Sequence, residues 1–279
     1  MNISAKRFPR EEGNDLYIGG ISTLSLPDTL DCGQAFRWEA EEDGWRGVIG
    51  KKVVRVSFAN GTLIIRNSNL DEYETLWKDY FDLGRDYSAI ISEMEKDETL
   101  KKAADACPGI RVLRQEPWET LCSFIISANN NIKRIKGIIE RLCENFGEEL
   151  EAGCFSFPSA EKLSELSIED LAPLRAGFRA KYILDAAKKV AAKEVDLDSI
   201  YSISYEEGKA QLMKIKGVGE KVADCALLFG FGKIEAFPKD VWIKRAMAAL
   251  FPEGLPSGLL PYAGIVQQYI FHYARTVGI

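Results

Sequence analysis

The run Leu212-Met213-Lys214-Ile215-Lys216-Gly217-Val218-Gly219-Glu220-Lys221-Val222-Ala223-Asp224-Cys225 decides how the chain is read. Helical patterns stand on both sides of Gly217-Val218-Gly219, which predicts two helices joined by a tight turn, a helix-hairpin-helix. The glycines permit the turn and let an anion approach the backbone with no Cβ in the way. The N–H groups of Gly217 to Lys221 open a helix predicted over 220–229, and its unpaired donors and positive dipole end attract a phosphate. Such a contact positions a nucleic acid without reading its sequence. The same string also suits a glycine-rich corner that merely packs two helices.

Lys221 and Cys225 are four positions apart and share one helix face. A lysine at the mouth of a helix is a candidate amine nucleophile for an electrophilic sugar carbon. It is equally a position where a solvated surface charge is common. Further along, Phe237-Pro238-Lys239-Asp240-Val241-Trp242 places Asp240 at the start of a predicted helix. Asp240 fits an N-cap there, and a carboxylate near Lys221 would also stabilise a cationic sugar-like transition state.

Working outward, residues 35–66 carry short, largely alternating apolar runs: 36–39, 45–49, 53–58 and 62–66. Turn chemistry separates them at Glu42-Asp43-Gly44, Gly50-Lys51 and Asn60-Gly61, the last being the strongest short hairpin signal. An antiparallel meander is expected. After about Asn69 the period becomes helical, with helices predicted over 71–81, 87–106, 118–128 opened by Pro117, 132–146, 159–165, 168–174, 180–193, 205–214, 220–229, 240–250 and 259–277. The fold class is α+β: an N-terminal antiparallel sheet domain with helices over residues 1–105, then an all-α region over 106–279 in two helical subdomains with the active site between them.

The 279 residues carry 36 Lys+Arg and 42 Asp+Glu, a net charge of −6. The acidity belongs to residues 1–105, with 14 Lys+Arg against 20 Asp+Glu, whereas residues 106–279 hold 22 of each. Affinity for nucleic acid depends on the face presented to phosphates, so the global sign decides nothing. The six cysteines form no C-x-x-C, and their spacing offers no iron–sulfur ligand set. A single histidine argues against a zinc site and a Ser-His-Asp triad. No apolar run approaches the roughly 20 residues of a membrane span. The N-terminus shows no apolar signal-peptide core, which predicts a cytoplasmic or nucleoid-associated protein, if prokaryotic.

At this point the chain resembles a known family. Gly217-Val218-Gly219-x-Lys221-Val222-Ala223-Asp224-Cys225 with Pro238-x-Asp240-Val241 resembles the helix-hairpin-helix–Gly/Pro–Asp signature of DNA glycosylases. Gly33-Gln34-Ala35-Phe36-Arg37-Trp38, Ser127-Ala128-Asn129-Asn130-Asn131-Ile132-Lys133-Arg134 and Gln267-Gln268-Tyr269-Ile270-Phe271 narrow the likeness to the Ogg-type 8-oxoguanine DNA glycosylase/AP lyases. The resemblance covers nearly the whole chain. It implies a small sheet domain followed by helical domains, and a monomer that acts on duplex DNA containing 8-oxoguanine.

The resemblance implies roles position by position. Lys221 is the Schiff-base nucleophile, and Asp240 assists departure of the base. Phe271 and Cys225 sandwich the extruded base, Phe124 and Pro238 line its pocket, and Gln267 bonds its Watson–Crick edge. The carbonyl of Gly33 reads the damage, because oxidised guanine carries an N7–H donor where guanine has a lone pair. Asn129 fills the gap in the duplex, Arg134 and Arg179 bond the opposite cytosine, and Phe178 is the wedge that holds a kinked duplex. Gly217, Val218 and Gly219 meet the backbone. The carbonyls of Met213, Ile215 and Val218 suit a structural cation at the hairpin. No cofactor is implied for the chemistry.

The sequence departs from the family pattern at several positions. Lys216 replaces the proline usual before Gly-Val-Gly, which is expected to loosen the turn slightly while adding a charge near the phosphate. Lys239 and Trp242 replace a valine and a histidine, so Lys239 is expected to substitute for a lost phosphate contact. Phe178 stands for a tyrosine, which keeps the stacking surface and loses a hydroxyl. Two rival readings remain: a glycosylase for another damaged purine without lyase activity, and a non-catalytic DNA-damage-binding protein.

Overall fold

Residues 8–278 are described by the computed structural model. The charged N-terminal segment, read above as lacking a signal-peptide core, falls mostly outside them. Six strands build one antiparallel sheet: β1 (Arg10–Glu12), β2 (Asp15–Gly19), β3 (Trp38–Glu41), β4 (Gly44–Ile49), β5 (Lys52–Ala59) and β6 (Thr62–Ile65). Its order is β1-β2-β6-β5-β4-β3. The expected meander is β3 to β6. Ala59 pairs with Thr62, and the two residues between them, Asn60 at φ 51° and Gly61 at φ 71°, form the left-handed pair that a two-residue hairpin requires.

The β1–β2 hairpin was not expected from sequence. Arg10-Glu11-Glu12 has no apolar alternation to announce a strand, and β2 buries its inward residues by setting Leu16 opposite Ile65 and Ile18 opposite Leu63. The same strands show why the meander was legible. Val54, Val56, Leu63 and Ile65 alternate inward onto Trp38, Trp77, Tyr80 and Phe81.

The helices are α1 (Leu26–Leu30); α2 (Leu70–Glu72) and α3 (Lys78–Tyr80), joined by a π-helical turn over Tyr73–Trp77; α4 (Tyr87–Met94); α5 (Glu98–Ala106); α6 (Pro117–Ser127); α7 (Ile132–Phe146); α8 (Ala160–Ser164); α9 (Ala180–Ala191); α10 (Leu197–Ile200); α11 (Tyr205–Leu212); α12 (Glu220–Phe231); α13 (Val241–Leu250); and α14 (Ala263–Val277). The stretch expected as one helix over 87–106 is two, because Asp97 caps a new N-terminus through the N–H groups of Thr99 and Leu100. A short hairpin of β7 (Glu149–Glu151) and β8 (Cys154–Phe155) follows α7.

Two apolar clusters organise the molecule. One lies under the sheet, from Leu16 to Leu113. The larger one contains Ile90, Met94, Leu100 and Ala103 together with the apolar faces of α6, α7, α9, α12 and α14. Residues 87–106, grouped with the sheet in the sequence reading, therefore bury their apolar faces in the helical core, where α5 packs on α14. Within it α12 is buried from Val222 to Phe231 and lies along α6. Among the described residues no helix is long and apolar enough to cross a membrane.

Candidate active site

One cavity gathers all eight residues named above as catalytic or base-binding. Gly33, Phe124, Lys221, Cys225, Pro238, Asp240, Gln267 and Phe271 line it, together with Cys32, Phe229 and Gln268. It encloses about 50 Å³, room for a few waters.

The hairpin delivers the lysine. Gly217 turns the chain at φ 84°, and a Cβ there would overlap the ring of Tyr182. Gly219 is the N-cap of α12, at φ −96°, and a Cβ there would meet nothing within 4 Å. The first glycine is thus required by the fold. The second leaves open the space in front of the helix's free N–H donors. Lys216, in the usual proline position, donates its backbone N–H to Asp185 Oδ2 at 2.7 Å, a bond proline cannot make. Lys189 Nζ pairs with the same carboxylate at 2.9 Å and bonds the carbonyl of Lys214 at 2.6 Å. The turn is therefore stitched to α9 rather than loosened.

Beneath the turn, Tyr205 Oη donates to Asp224 Oδ1 at 2.6 Å, and Lys209 Nζ lies 3.0 Å from the same oxygen. Asp224 is buried, so this trio joins α11 to α12 with the carboxylate satisfied. The carbonyl of Ile215, one of three suggested for a cation, accepts the Val218 N–H at 3.1 Å. Met213 is exposed and Ile215 and Val218 are buried.

Lys221 leaves α12 toward α6. Its Nζ donates to Ser127 Oγ at 3.1 Å and sits 5.2 Å from the centre of the Phe124 ring. Phe124 stacks on Phe229, with centroids 5.3 Å apart, and meets Phe36 edge-on. Cys225 lies one turn beyond Lys221, and burial pushes its thiol up to about 11, against the opposing pull of Lys221. Asp240 caps α13, accepting the Ile243 N–H on Oδ1 at 2.8 Å, so the N-cap reading holds. No ion pair joins it to Lys221 among the described residues.

Gln267 and Phe271 share a face of α14. Gln267 Nε2 donates to the Pro238 carbonyl at 3.2 Å, and its Oε1 accepts from Gln268 Nε2 at 2.6 Å. Gln268 Oε1 in turn faces the Cys32 thiol at 3.7 Å. This chain fixes which way the Gln267 amide points, and it places Cys32 beside Gly33. Gly33 itself has φ 95°, a conformation that favours glycine. Gln34 holds the loop by donating to the carbonyls of Thr29 and Arg111 and accepting from the Leu113 N–H.

The residues assigned to DNA lie outside the cavity lining. Asn129 is exposed at φ 48°, while its neighbours do other work. Asn130 Nδ2 bonds the Ile126 carbonyl at the end of α6, and Asn131 caps α7 through the Arg134 N–H. Arg134, Gly217, Gly219 and Lys239 are exposed. Phe178 is 48% exposed and packs edge-on against Tyr182, the ring that also backs Gly217. Val218, by contrast, is buried.

Arg179 is placed differently from its neighbours. It is 2% exposed. Its guanidinium donates to the carbonyls of Ala128 (2.8 Å from Nε), Asn129 (2.8 Å from Nη2) and Ala176 (3.3 Å from Nη1). Burial, and after it the like charge of Arg134, hold its pKa below the usual arginine value.

Ser127, Cys32, Phe229 and Gln268 were missed in the sequence. Phe229 was findable, standing four and eight residues after Cys225 and Lys221 on one helix face. Ser127 and Gln268 lie inside the quoted strings and Cys32 beside one, but none carried a signal of its own, because their contacts are made across the fold.

Residues 19–121 match the family model for the 8-oxoguanine DNA glycosylase N-terminal domain. Residues 122–254 match the HhH-GPD superfamily of base excision DNA repair proteins. The chain is 34% identical to an N-glycosylase/DNA lyase of Saccharomyces cerevisiae, over 80% of this chain and 67% of that protein. It is 32% identical to a probable N-glycosylase/DNA lyase of Methanothermobacter thermautotrophicus, over 71% of this chain and 74% of that one. Among solved structures, the Clostridium acetobutylicum 8-oxoguanine glycosylase/lyase in complex with double-stranded DNA containing cytosine opposite 8-oxoguanine superposes with a TM-score of 0.90. The identity is 39%, covering 97% of this chain and 98% of that one. Two family models meeting end to end, curated relatives above 30% identity and this near-complete structural match agree with the geometry of the cavity: the chain belongs to the Ogg-type 8-oxoguanine DNA glycosylase/AP lyases of the HhH-GPD superfamily.

Proposed function

We propose that this protein excises 8-oxoguanine from duplex DNA, preferably opposite cytosine, and then nicks the abasic strand. The observation that carries the reading is the cavity itself. One lysine amine, one carboxylate, one amide held in a fixed orientation and one half-buried aromatic ring line a single cavity.

Lys221 Nζ gives its lone pair to C1′ of the extruded nucleotide. The bond from C1′ to the base breaks, and its electron pair leaves with the base, which takes up a proton. Nζ loses a proton, and the lone pair this frees forms the C1′=N bond as the C1′–ring oxygen bond breaks; the ring oxygen keeps that electron pair and takes up a proton, leaving a protonated imine, the Schiff base. Loss of a C2′ proton then expels the 3′ phosphate by β-elimination. Asp240 offsets the positive charge that develops on the sugar. Gln267 bonds the Watson–Crick edge, Phe271 and Cys225 cover the two faces of the base, Phe124 and Pro238 close the walls, and the Gly33 carbonyl accepts from N7–H. These steps call for no cofactor.

Outside the pocket, Gly217, Val218 and Gly219 grip a phosphate through the backbone. Lys239 supplies a further phosphate contact. Asn129 fills the gap and Phe178 wedges the stack. Arg134 and Arg179 bond the estranged cytosine; for Arg179 this requires exchanging its turn carbonyls for the base. A cation on the carbonyls of Met213, Ile215 and Val218 would bridge the hairpin to DNA. The sheet domain and the helical region act together as a monomer.

Borohydride trapping on a duplex with 8-oxoguanine opposite cytosine tests the reading. Wild type should give a covalent adduct and Lys221→Gln none. Lesion-specific binding with no adduct in the wild type would instead mark a base-hydrolysing glycosylase or a damage binder. Arg134→Ala should narrow the rate difference between lesions opposite cytosine and adenine.

A further inference from the structure

The hydrogen bond at the nucleophile has a direction, and the direction is set from elsewhere. Ser127 Oγ donates its one proton to the Phe124 carbonyl at 2.8 Å, so toward Lys221 it can only accept. Its contact with Nζ at 3.1 Å therefore occupies one N–H of the amine. The Phe124 ring, on the same helix, sits 5.2 Å away. Two of the groups around Nζ thus come from the last turn of α6, and the Cys225 thiol, one turn along α12, is a third.

That turn leads directly into the segment at the mouth of the site. Ser127 is the final residue of α6, and the next two carbonyls, of Ala128 and Asn129, are held by Arg179. The exposed Asn129 side chain is two residues from the hydroxyl that holds the amine. Only Ala128 separates Asn129 from Ser127, and Asn130 bonds back to the Ile126 carbonyl, so the segment that carries Asn129 is tied on both sides to the last turn of α6.

We infer that Ser127 is a positioning residue: it aims the Lys221 amine and couples it to the seating of Asn129 in the duplex. The inference rests on Lys221 being the nucleophile, as proposed above. Ser127 itself transfers no proton. It keeps one N–H engaged while the nitrogen lone pair is directed to the sugar carbon, a matter of orientation rather than of acid–base chemistry.

The test uses the full chain with Ser127→Ala, Ser127→Thr, Asn129→Ala and the double variant Ser127→Ala/Asn129→Ala. Two quantities are read for each: the single-turnover rate of borohydride-trapped adduct, and the Kd for a duplex carrying a tetrahydrofuran abasic analogue. Ser127→Ala should slow trapping about tenfold, the scale of one hydrogen bond to an amine, with Kd within about twofold of wild type. Ser127→Thr, which restores the acceptor, should recover most of the rate. The double variant should be no slower than the slower single variant, because both act on one event.

Trapping by Ser127→Ala at the wild-type rate would overturn the inference while leaving Lys221 as nucleophile. So would a loss confined to Kd, a threonine variant as slow as the alanine one, or rate losses that multiply in the double variant. A wild type that leaves no adduct would overturn this inference and the reading beneath it together.

Discussion

Arg179 closes on the turn that carries Asn129, its Nη2 donating to the Asn129 carbonyl at 2.8 Å. The arginine is buried, and its fork spans two successive carbonyls, of Ala128 and Asn129. A planar fork is suited to this, and a lysine point charge is not. Arg179→Ala should therefore cost about 2 kcal/mol by leaving the buried Ala176 carbonyl and two part-buried ones unpaired. Thermal melting should show a fall in Tm of about 4 °C, and Arg179→Lys should recover little of it. A melt unchanged by Arg179→Ala would mean the turn holds without its brace.

The two hairpin glycines should separate fold from binding. Gly217→Ala combines a φ of 84° with overlap on the Tyr182 ring, so a loss of about 2 kcal/mol or more is expected in denaturant unfolding. Gly219→Ala meets open space at an ordinary φ and should leave stability within about 0.5 kcal/mol. Its added methyl occupies the approach to the helix donors, so duplex affinity should fall about tenfold. Equal Tm losses in the two variants would refute the division.

Gly33→Ala should act on discrimination. A Cβ at φ 95° is strained, and it would lie 3.3 Å from the Ile132 side chain. The loop must rotate, and the Gly33 carbonyl with it. Stability should drop by about 1–2 kcal/mol, and the ratio of release rates for 8-oxoguanine over guanine should fall. A variant with lower Tm but an unchanged ratio would show that this carbonyl does not read the lesion.

Alkaline pH should expose the buried thiols. Burial pushes Cys225 and Cys32 up to about 11 from the usual 9.0. Below pH 9 both are protonated whether the chain is folded or not, and their burial costs nothing in ionisation. Between pH 9 and 11 the unfolded chain releases these protons and the folded chain keeps them, so stability falls as pH rises. The slope reaches about 1.4 kcal/mol per pH unit for each thiol. Denaturant unfolding of wild type and Cys225→Ala from pH 8 to 11 measures it; the variant should fall less steeply. Within the folded state, both thiols should resist alkylation at pH 8.

Local pattern carried much of the molecule. Period-two runs with Asn60-Gly61 between them specified the β5–β6 hairpin, and both residues adopt the left-handed conformation the turn demands. Helical spacing around Gly217-Val218-Gly219 specified the hairpin, and the four-residue spacing of Lys221 and Cys225 put them on one face. Pro117 opens α6 as a first-turn proline should. Each of these follows from interactions within a few residues, which a sequence displays directly.

The tertiary structure decided what those elements do to one another. Gly33, Lys221 and Gln267 are more than 180 residues apart at the extremes, and only the packing of α12 on α6, with α14 alongside, brings them to one cavity. The orientation of the Gln267 amide depends on Gln268 and Pro238. The interior placement of Arg179 depends on two carbonyls some fifty residues earlier. Lys216 in place of a proline predicts a looser turn, yet its N–H ties the turn to Asp185 on a distant helix. By itself the sequence determined most of the helices, the meander, the hairpin and the position of its candidate nucleophile, because periodicity and turn chemistry are local. Which hydroxyl holds that nucleophile, and which arginine braces the turn beside it, were decided by contacts between distant segments, which no local pattern encodes.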